Sequence, residues 1–253
     1  GRGVFQGFTL MRPPRPAQTL IHVHPAIEEL NRVYRADLAI CADPGAVAGA
    51  LAHAAGQGGV WSSWREALRA RQLAFVSGGT CPGPVDLREV FVHLRRRLDA
   101  DAVVTSGAGA YALWAQRYFA HARPDTQLGP KSGAMGYGLP AAIAAALVRP
   151  GRQTVALAGD GCFLMHAEEL ATAVHYGLRI VTLVVNNGLY GAIDATQRRL
   201  YGRPVGTQLS NPDFADFARS FGAAGFRVER TDEFPSALER ALAADGPAVI
   251  ELV

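Results

Sequence analysis

Two apolar runs, Thr154 to Ala158 (TVALA) and Ile180 to Val185 (IVTLVV), bracket the segment Phe163 to Tyr176 (FLMHAEELATAVHY), whose apolar positions recur at helical spacing. Short continuous apolar runs that end in Gly or Asn read as buried strands. The stretch therefore predicts strand, loop, helix, strand, loop. The same alternation extends in both directions from Val85. Upstream it predicts helix Leu87 to Leu98, strand AVVTS, helix Tyr111 to Phe119, a loop, and helix Leu139 to Leu147. Downstream it predicts a polar loop to Ser210, a helix capped near Asn211 (PDFADFARSFG), strand GFRVE, helix Phe234 to Leu242 and strand AVIEL. Strands alternating with helices predict an α/β fold, a doubly wound and mostly parallel sheet sandwiched by helices.

Residues 1–76 carry a second, shorter α/β pattern. Strand Thr19 to Val23 precedes helix Ala26 to Tyr34, the short strand LAICA, a helix opening at Asp43–Pro44, and helix Trp61 to Arg71. Asp is a good N-cap and Pro suits the first turn, which places that helix start. Ser77 to Pro84 (SGGTCPGP) has the composition of a linker, so the pattern divides into 1–76, a linker 77–84, and a main domain 85–253.

Composition narrows the class. The apolar runs stop well short of a membrane span. A formal charge of +3 with dispersed basic residues gives no nucleic-acid footprint, and the one cluster, Arg95–Arg96–Arg97, fits a solvated helix face. Three cysteines, Cys41, Cys81 and Cys162, are far apart without metal-ligand spacing, which suggests reduced thiols in a cytoplasmic protein. Neither a signal peptide nor a transit peptide is legible in GRGVFQGFTLMRPPRPAQ, and Gly1 is not an initiator methionine.

Candidate chemistry sits at the ends of the first two runs. Gly159–Asp160–Gly161 follows one strand, and Asn186–Asn187 follows the next, 25 residues beyond Gly161. In a parallel βαβ unit both loops emerge at the carboxyl ends of neighbouring strands, so Asp160 and Asn187 are expected to converge. A carboxylate and an amide oxygen are hard ligands suited to a magnesium ion that keeps other positions for waters and phosphates. The glycines allow close backbone approach, and a helix starting near Cys162 would aim free N–H groups at a diphosphate. Each half alone also reads as an ordinary turn.

GDG followed by NN at this spacing resembles the signature of enzymes that use thiamine diphosphate. The wider stretch SGAMGYGLPAAIAA, GDGCFLMHAEELATAV and NNGLYGAI is similar to the branch holding acetolactate synthases, benzoylformate decarboxylase and related 2-oxo-acid enzymes. The likeness runs from about Val85 to Val253, with a weaker one over about Leu20 to Leu51. It implies a magnesium site made by Asp160, Asn187 and the backbone carbonyl of Leu189. It further implies that Gly159, Gly161, Cys162, Tyr190 and Gly191 border the cofactor, with Gly109, Ala110 and Tyr111 beside its diphosphate. Gly133 and Ala134 would line the pyrimidine, and Met135 would prop the cofactor in a bent conformation. Without the resemblance, Gly133 to Gly138 reads as a glycine-rich packing loop with Met135 filling core space.

Other constellations compete. Gly107-x-Gly109-x-x-Ala112 fits a dinucleotide fingerprint, with Asp125 18 residues beyond Gly107. An acid serving a ribose should end a second strand, whereas Asp125 follows His-Ala-Arg-Pro in an expected loop. His22 and His24 alternate on a strand without a third ligand. His166 lies near the expected cofactor, Glu168 and Glu169 suit a first helical turn, and Cys162 reads as a small loop residue.

The family reaction decarboxylates a 2-oxo acid and passes the remaining fragment to a proton or to a second carbonyl. In acetolactate synthases the stretch matching Leu189 to Tyr201 usually carries a methionine and a tryptophan where this sequence has Ala192 and Thr196, which implies a roomier or different pocket. The activating glutamate of the family lies in an N-terminal domain that no segment here resembles. The chain is therefore expected to be a fragment, inactive alone, either truncated or one half of a split enzyme, of a homodimer or dimer of dimers with its active site at the subunit interface. FAD binding, as in acetolactate synthases, stays open, as does a degenerate homologue that binds cofactor without turnover.

Overall fold

A computed structural model describes residues 11–54, 59 and 61–253, and the first ten residues of the Pro- and Arg-rich start lie outside it. The chain divides into two compact units, Gly1–Ala70 and Arg71–Val253.

In the smaller unit, β1 (Ile21–His24) pairs in parallel with β2 (Leu38–Cys41), Ile21 opposite Leu38. α1 (Pro44–His53) follows, and the Asp43 carboxylate accepts from the Gly45 N–H at 2.8 Å, as a cap should. The helix expected over Ala26 to Tyr34 does not form; only a 3-10 turn, Ile27–Glu29, is present. Asn31 ends it by entering the left-handed region (φ 59°), with its side-chain oxygen accepting from Ala36 N–H at 2.8 Å. Asparagine competes with helix through this kind of local bond. α2 runs Ser62–Ser77, six residues past its expected end.

The larger unit carries the sheet. Its elements are α3 (Leu87–Arg97), β3 (Val103–Ser106), α4 (Ala110–Tyr118), β4 (Gln127–Leu128), α5 (Gly138–Val148), β5 (Thr154–Gly159), α6 (Asp160–Phe163), α7 (Leu170–His175), β6 (Ile180–Val185), α8 (Gly191–Tyr201), α9 (Phe214–Ser220), β7 (Ala224–Val228), α10 (Phe234–Leu242) and β8 (Ala248–Leu252). The six strands lie in the order β4-β3-β5-β6-β8-β7, every pair parallel. This is the doubly wound α/β sheet expected from the alternation.

Each strand's alternation divides the core into two layers. Val155, Leu157, Val181, Leu183, Ile250 and Leu252 face α3, α4 and α10. Ala156, Ala158, Ile180, Val184 and Val249 face α5, α7 and α9, whose own contacts are Ala142, Ile143, Leu170, Phe214 and Ala218. Small residues on this second face let α5 approach closely. A Cβ added to Gly138 would lie 2.8 Å from the Leu157 carbonyl oxygen.

Three expectations need correction here. Phe163 to Tyr176 is not one helix: a single turn (α6), a 3-10 turn (Ala167–Glu169) and α7 replace it. His166 leaves helical geometry (φ −148°, ψ 40°) to pack on the loop before α5, where a Cβ on Gly136 would lie 2.5 Å from its ring. The polar loop to Ser210 contains α8, stopped by Gly202 in the left-handed conformation. The cap of α9 is Asp213, which accepts from Asp216 N–H at 2.8 Å, leaving Asn211 free for another role.

The end of α2 and the segment that follows it are held within the larger unit. Arg117 donates to the Phe75 and Gly78 carbonyls, and the Thr231 hydroxyl donates to the Pro84 carbonyl.

Candidate functional site

The strand order reverses between β3 and β5: from β3 the chain moves outward to β4, then returns to β5 and proceeds the other way. Crevices at such a switch, outside the carboxyl ends of the strands, are where open α/β sheets bind ligands. A pocket of about 530 Å³ opens there, lined by the residues that follow β3, β5, β6 and β8.

Of the fourteen residues assigned to cofactor or metal from the sequence, thirteen line this one pocket: Gly109, Ala110 and Tyr111; Gly133 and Met135; Gly159 to Cys162; and Asn187, Leu189, Tyr190 and Gly191. Ala134 does not line it and is exposed to solvent between two residues that do. Trp114, Val85, Leu87, Val185, Ile193 and Leu252 add apolar wall, and Ala192 lines it as well.

The two halves of the motif touch. A Cβ on Gly161 would lie 2.4 Å from the Tyr190 ring, so only glycine lets the loop after β5 meet the loop after β6 this closely. Gly159 stands against the Tyr111 ring in the same way, at 2.9 Å. Glycine at both positions is set by approach rather than by backbone angle.

Asp160 is 3% exposed at the end of β5. One carboxylate oxygen accepts from Gly161 N–H at 2.8 Å and the other from the Asn211 amide at 2.8 Å. Asn187 accepts from the Leu189 N–H at 3.2 Å, a local turn that aims its side chain. Tyr190 N–H donates to the Thr207 carbonyl and Leu209 N–H to the Gly188 carbonyl, at 2.9 and 2.8 Å. In this bridge Leu189 and Gln208 form the non-hydrogen-bonded pair, so the Leu189 carbonyl points away from Gln208. Among the described residues no three His, Cys, Asp or Glu side chains gather as a metal site. The oxygen donors here are one carboxylate, one amide and one carbonyl.

Cys162 ties the loops together. Its sulfur accepts from the Tyr111 hydroxyl and from Gly136 N–H, both at 3.2 Å. Burial, with the adjacent sulfur, pushes the Tyr111 phenol well above its ordinary range. The helix expected to start near Cys162 with free N–H groups is a single turn, and its Gly161 N–H is already taken by the Asp160 carboxylate.

Residues that sequence reasoning missed lie behind Asp160. Asn211 also donates to the Asn186 side-chain oxygen at 2.8 Å, and Asn186 donates to Glu251 at 2.7 Å. Glu251 is fully buried in β8, where it accepts from Phe214 N–H at 3.1 Å and stands 3.4 Å from Arg227. A carboxylate within an apolar strand (AVIEL) was the one visible signal of this network.

The competing constellations are otherwise occupied. Asp125 sits in a turn before β4 (φ 56°) and does not end a strand. His24 bonds the Ala26 backbone, and its ring lies 6.3 Å from that of His22. His166 pairs with Glu168 at 3.3 Å on the surface. Arg95 bonds the Leu98 and Asp99 carbonyls, and Arg97 pairs with Glu239. All three cysteines are free. No helix among the described residues is long and apolar enough to cross a membrane.

Residues 107–252 match the family model for the thiamine pyrophosphate enzyme, C-terminal TPP binding domain. The chain belongs to this family. It is 32% identical over 243 residues to the acetolactate synthase of Bacillus subtilis (strain 168), covering 93% of this chain and 42% of the relative. To the acetolactate synthase isozyme 2 large subunit of Escherichia coli (strain K12) it is 30% identical over 242 residues, covering 94% and 43%. Acetolactate synthase 2, chloroplastic, of Zea mays is 33% identical over 163 residues, 60% of this chain and 26% of the relative. The chain thus spans about two fifths of the length of the two bacterial relatives.

Proposed function

We propose that the chain binds thiamine diphosphate together with a magnesium ion in the pocket at the strand ends. Within its whole enzyme it serves the decarboxylation of a 2-oxo acid and transfer of the remaining fragment to a second carbonyl, as in acetolactate synthases. The observation that carries this reading is the convergence of thirteen residues from separate loops on one pocket with Asp160 at its buried edge.

The donor set fits the group. Asp160, Asn187 and the Leu189 carbonyl would hold magnesium through hard oxygen ligands, leaving positions for phosphate oxygens. The backbone of Gly109, Gly159 and Gly161, which lines the pocket, would take the diphosphate. Thiamine diphosphate, when bound, supplies an electron sink for breaking a carbon–carbon bond beside a keto carbon. The chain's own residues orient and enclose: Met135 stands against the core as a prop, and Trp114 and Leu252 give the reacting region an apolar wall. An interface between subunits that completes this site belongs to the same reading.

Decarboxylation to an aldehyde is the alternative outcome. Ala192 gives the wall only a methyl group, and the Thr196 hydroxyl is turned back onto the Ala192 carbonyl at 2.9 Å. Neither residue offers the bulk that an acceptor-selecting side chain provides.

Calorimetric titration with thiamine diphosphate tests the reading. Binding is expected to require magnesium, and Asp160→Ala is expected to abolish this magnesium-dependent binding. Equal affinity with and without magnesium in the wild-type chain overturns it. In the whole enzyme, carbon dioxide and acetolactate formed from pyruvate distinguish transfer from simple decarboxylation, and bound cofactor without turnover of any 2-oxo acid marks a non-catalytic homologue.

A further inference from the structure

We infer that Asn211 is a positioning residue for the metal-binding carboxylate, oriented by the buried Glu251; this rests on the proposed function of the site. The order of donors and acceptors through the network is forced from one end. A carboxylate only accepts, so Glu251 requires the Asn186 amide nitrogen to face it, which it does at 2.7 Å. The Asn186 oxygen is then turned toward Asn211 and receives the Asn211 amide at 2.8 Å. The second proton of that same amide reaches Asp160 at 2.8 Å. The reverse orientation of Asn211 would set its oxygen against two acceptors.

One side chain thus bridges the two motif loops, bonding the acid that ends β5 and the first asparagine after β6. Asp160 cannot rotate without breaking a bond at each oxygen, since Gly161 N–H holds the other. The arrangement leaves the Asn211 oxygen buried without a hydrogen-bond partner. A buried acceptor left unsatisfied is a cost to folding. A cap for α9 would not require it, because Asp213 performs that task. The orientation of Asp160 is what the unsatisfied oxygen secures. Partners behind a ligand that fix its direction commonly matter tenfold or more to metal affinity.

Magnesium demands nearly ideal octahedral geometry, whereas calcium accepts irregular and bidentate carboxylates. Loss of orientation should therefore penalise magnesium selectively, and loss of general stability should not. In the full chain, thiamine diphosphate affinity is measured by calorimetry with magnesium and with calcium in turn. Asn211→Ala is expected to weaken magnesium-supported binding about tenfold, with calcium-supported binding falling less than about threefold. Should the alanine variant fail to fold, Asn211→Ser keeps one donor and is expected to show the same selective loss in smaller measure. Equal loss with both cations, or no loss while Asp160→Ala abolishes metal dependence, overturns the inference alone. Retained metal dependence in Asp160→Ala overturns both the inference and the reading beneath it.

Discussion

The Tyr111 hydroxyl donates to the Cys162 sulfur at 3.2 Å, joining the first turn of α4 to the residue that follows Gly161. Gly136 N–H donates to the same sulfur from the loop that carries Met135. Three loops of the pocket therefore hang on one buried atom. Cys162→Ala leaves a buried hydroxyl and a buried N–H without an acceptor, and should cost about 1–3 kcal/mol. Cys162→Ser keeps an acceptor and should lose less. Gly107→Ala should also destabilise by about 1–3 kcal/mol, because its new Cβ would lie 2.3 Å from this sulfur. The double variant Gly107→Ala/Cys162→Ala should be better than the sum of its parts, since removing the sulfur relieves the closest clash and leaves that with the Tyr111 hydroxyl at 2.9 Å. Urea denaturation of the four proteins checks this, and strict additivity would refute the shared contact.

Arg117 holds the segment that leads into the pocket wall. Its guanidinium donates to the Phe75 carbonyl at 2.6 and 2.9 Å and to the Gly78 carbonyl at 2.9 Å, and lies 3.8 Å from the Phe75 ring centroid. The Tyr118 hydroxyl reaches the Gly78 carbonyl as well, at 2.7 Å. Arg117→Ala should expose residues 75–84 to limited proteolysis, with cleavage rising about fivefold for each kcal/mol of local stability removed. Arg117→Lys should restore little, because a single ammonium cannot reproduce the planar fork over the ring. Cleavage at an unchanged rate in Arg117→Ala would show that Tyr118 and the neighbouring packing suffice.

Much of the larger unit was legible because its chemistry is local. Strands such as TVALA and IVTLVV are buried on both faces and carry a continuous apolar signal, and their glycine and asparagine ends mark where the pocket lies. What failed to read was decided by contacts distant in sequence. His166 interrupts the helix after Gly161 because it packs on Gly136, about thirty residues away in the chain. Asn31 ends a helix through its own side chain, against an apolar pattern that argued for continuation. Asn211 looked like a cap because Asn, Pro and Asp stand together before a helix; only the fold shows that Asp213 caps and Asn211 reaches Asp160. α8 went unseen because its surface is polar, although Asp194 and Arg198 stand one helical turn apart in the sequence.

That pair supports the last prediction. Asp194, 7% exposed on α8, receives the Arg198 guanidinium at 2.6 Å and the Thr207 hydroxyl at 2.9 Å. The Thr207 bond fastens the helix that begins at Gly191 to the segment that pairs with Leu189, and the Arg198 bond is made within the helix. The Arg198 bond, with help from Thr207, holds the Asp194 carboxyl below the usual carboxylate range. As acid is added, the unfolded chain takes up this proton before the folded one does. The contribution is therefore complete above the ordinary aspartate pKa of about 3.9 and is lost as pH falls through the lower folded value. Asp194→Asn should be less stable than wild type at pH 7 and at pH 5, and the gap should narrow toward pH 3. Urea midpoints at the three values measure it. A gap that stays constant across the series would mean that shape and packing of the side chain, not its charge, hold α8 in place.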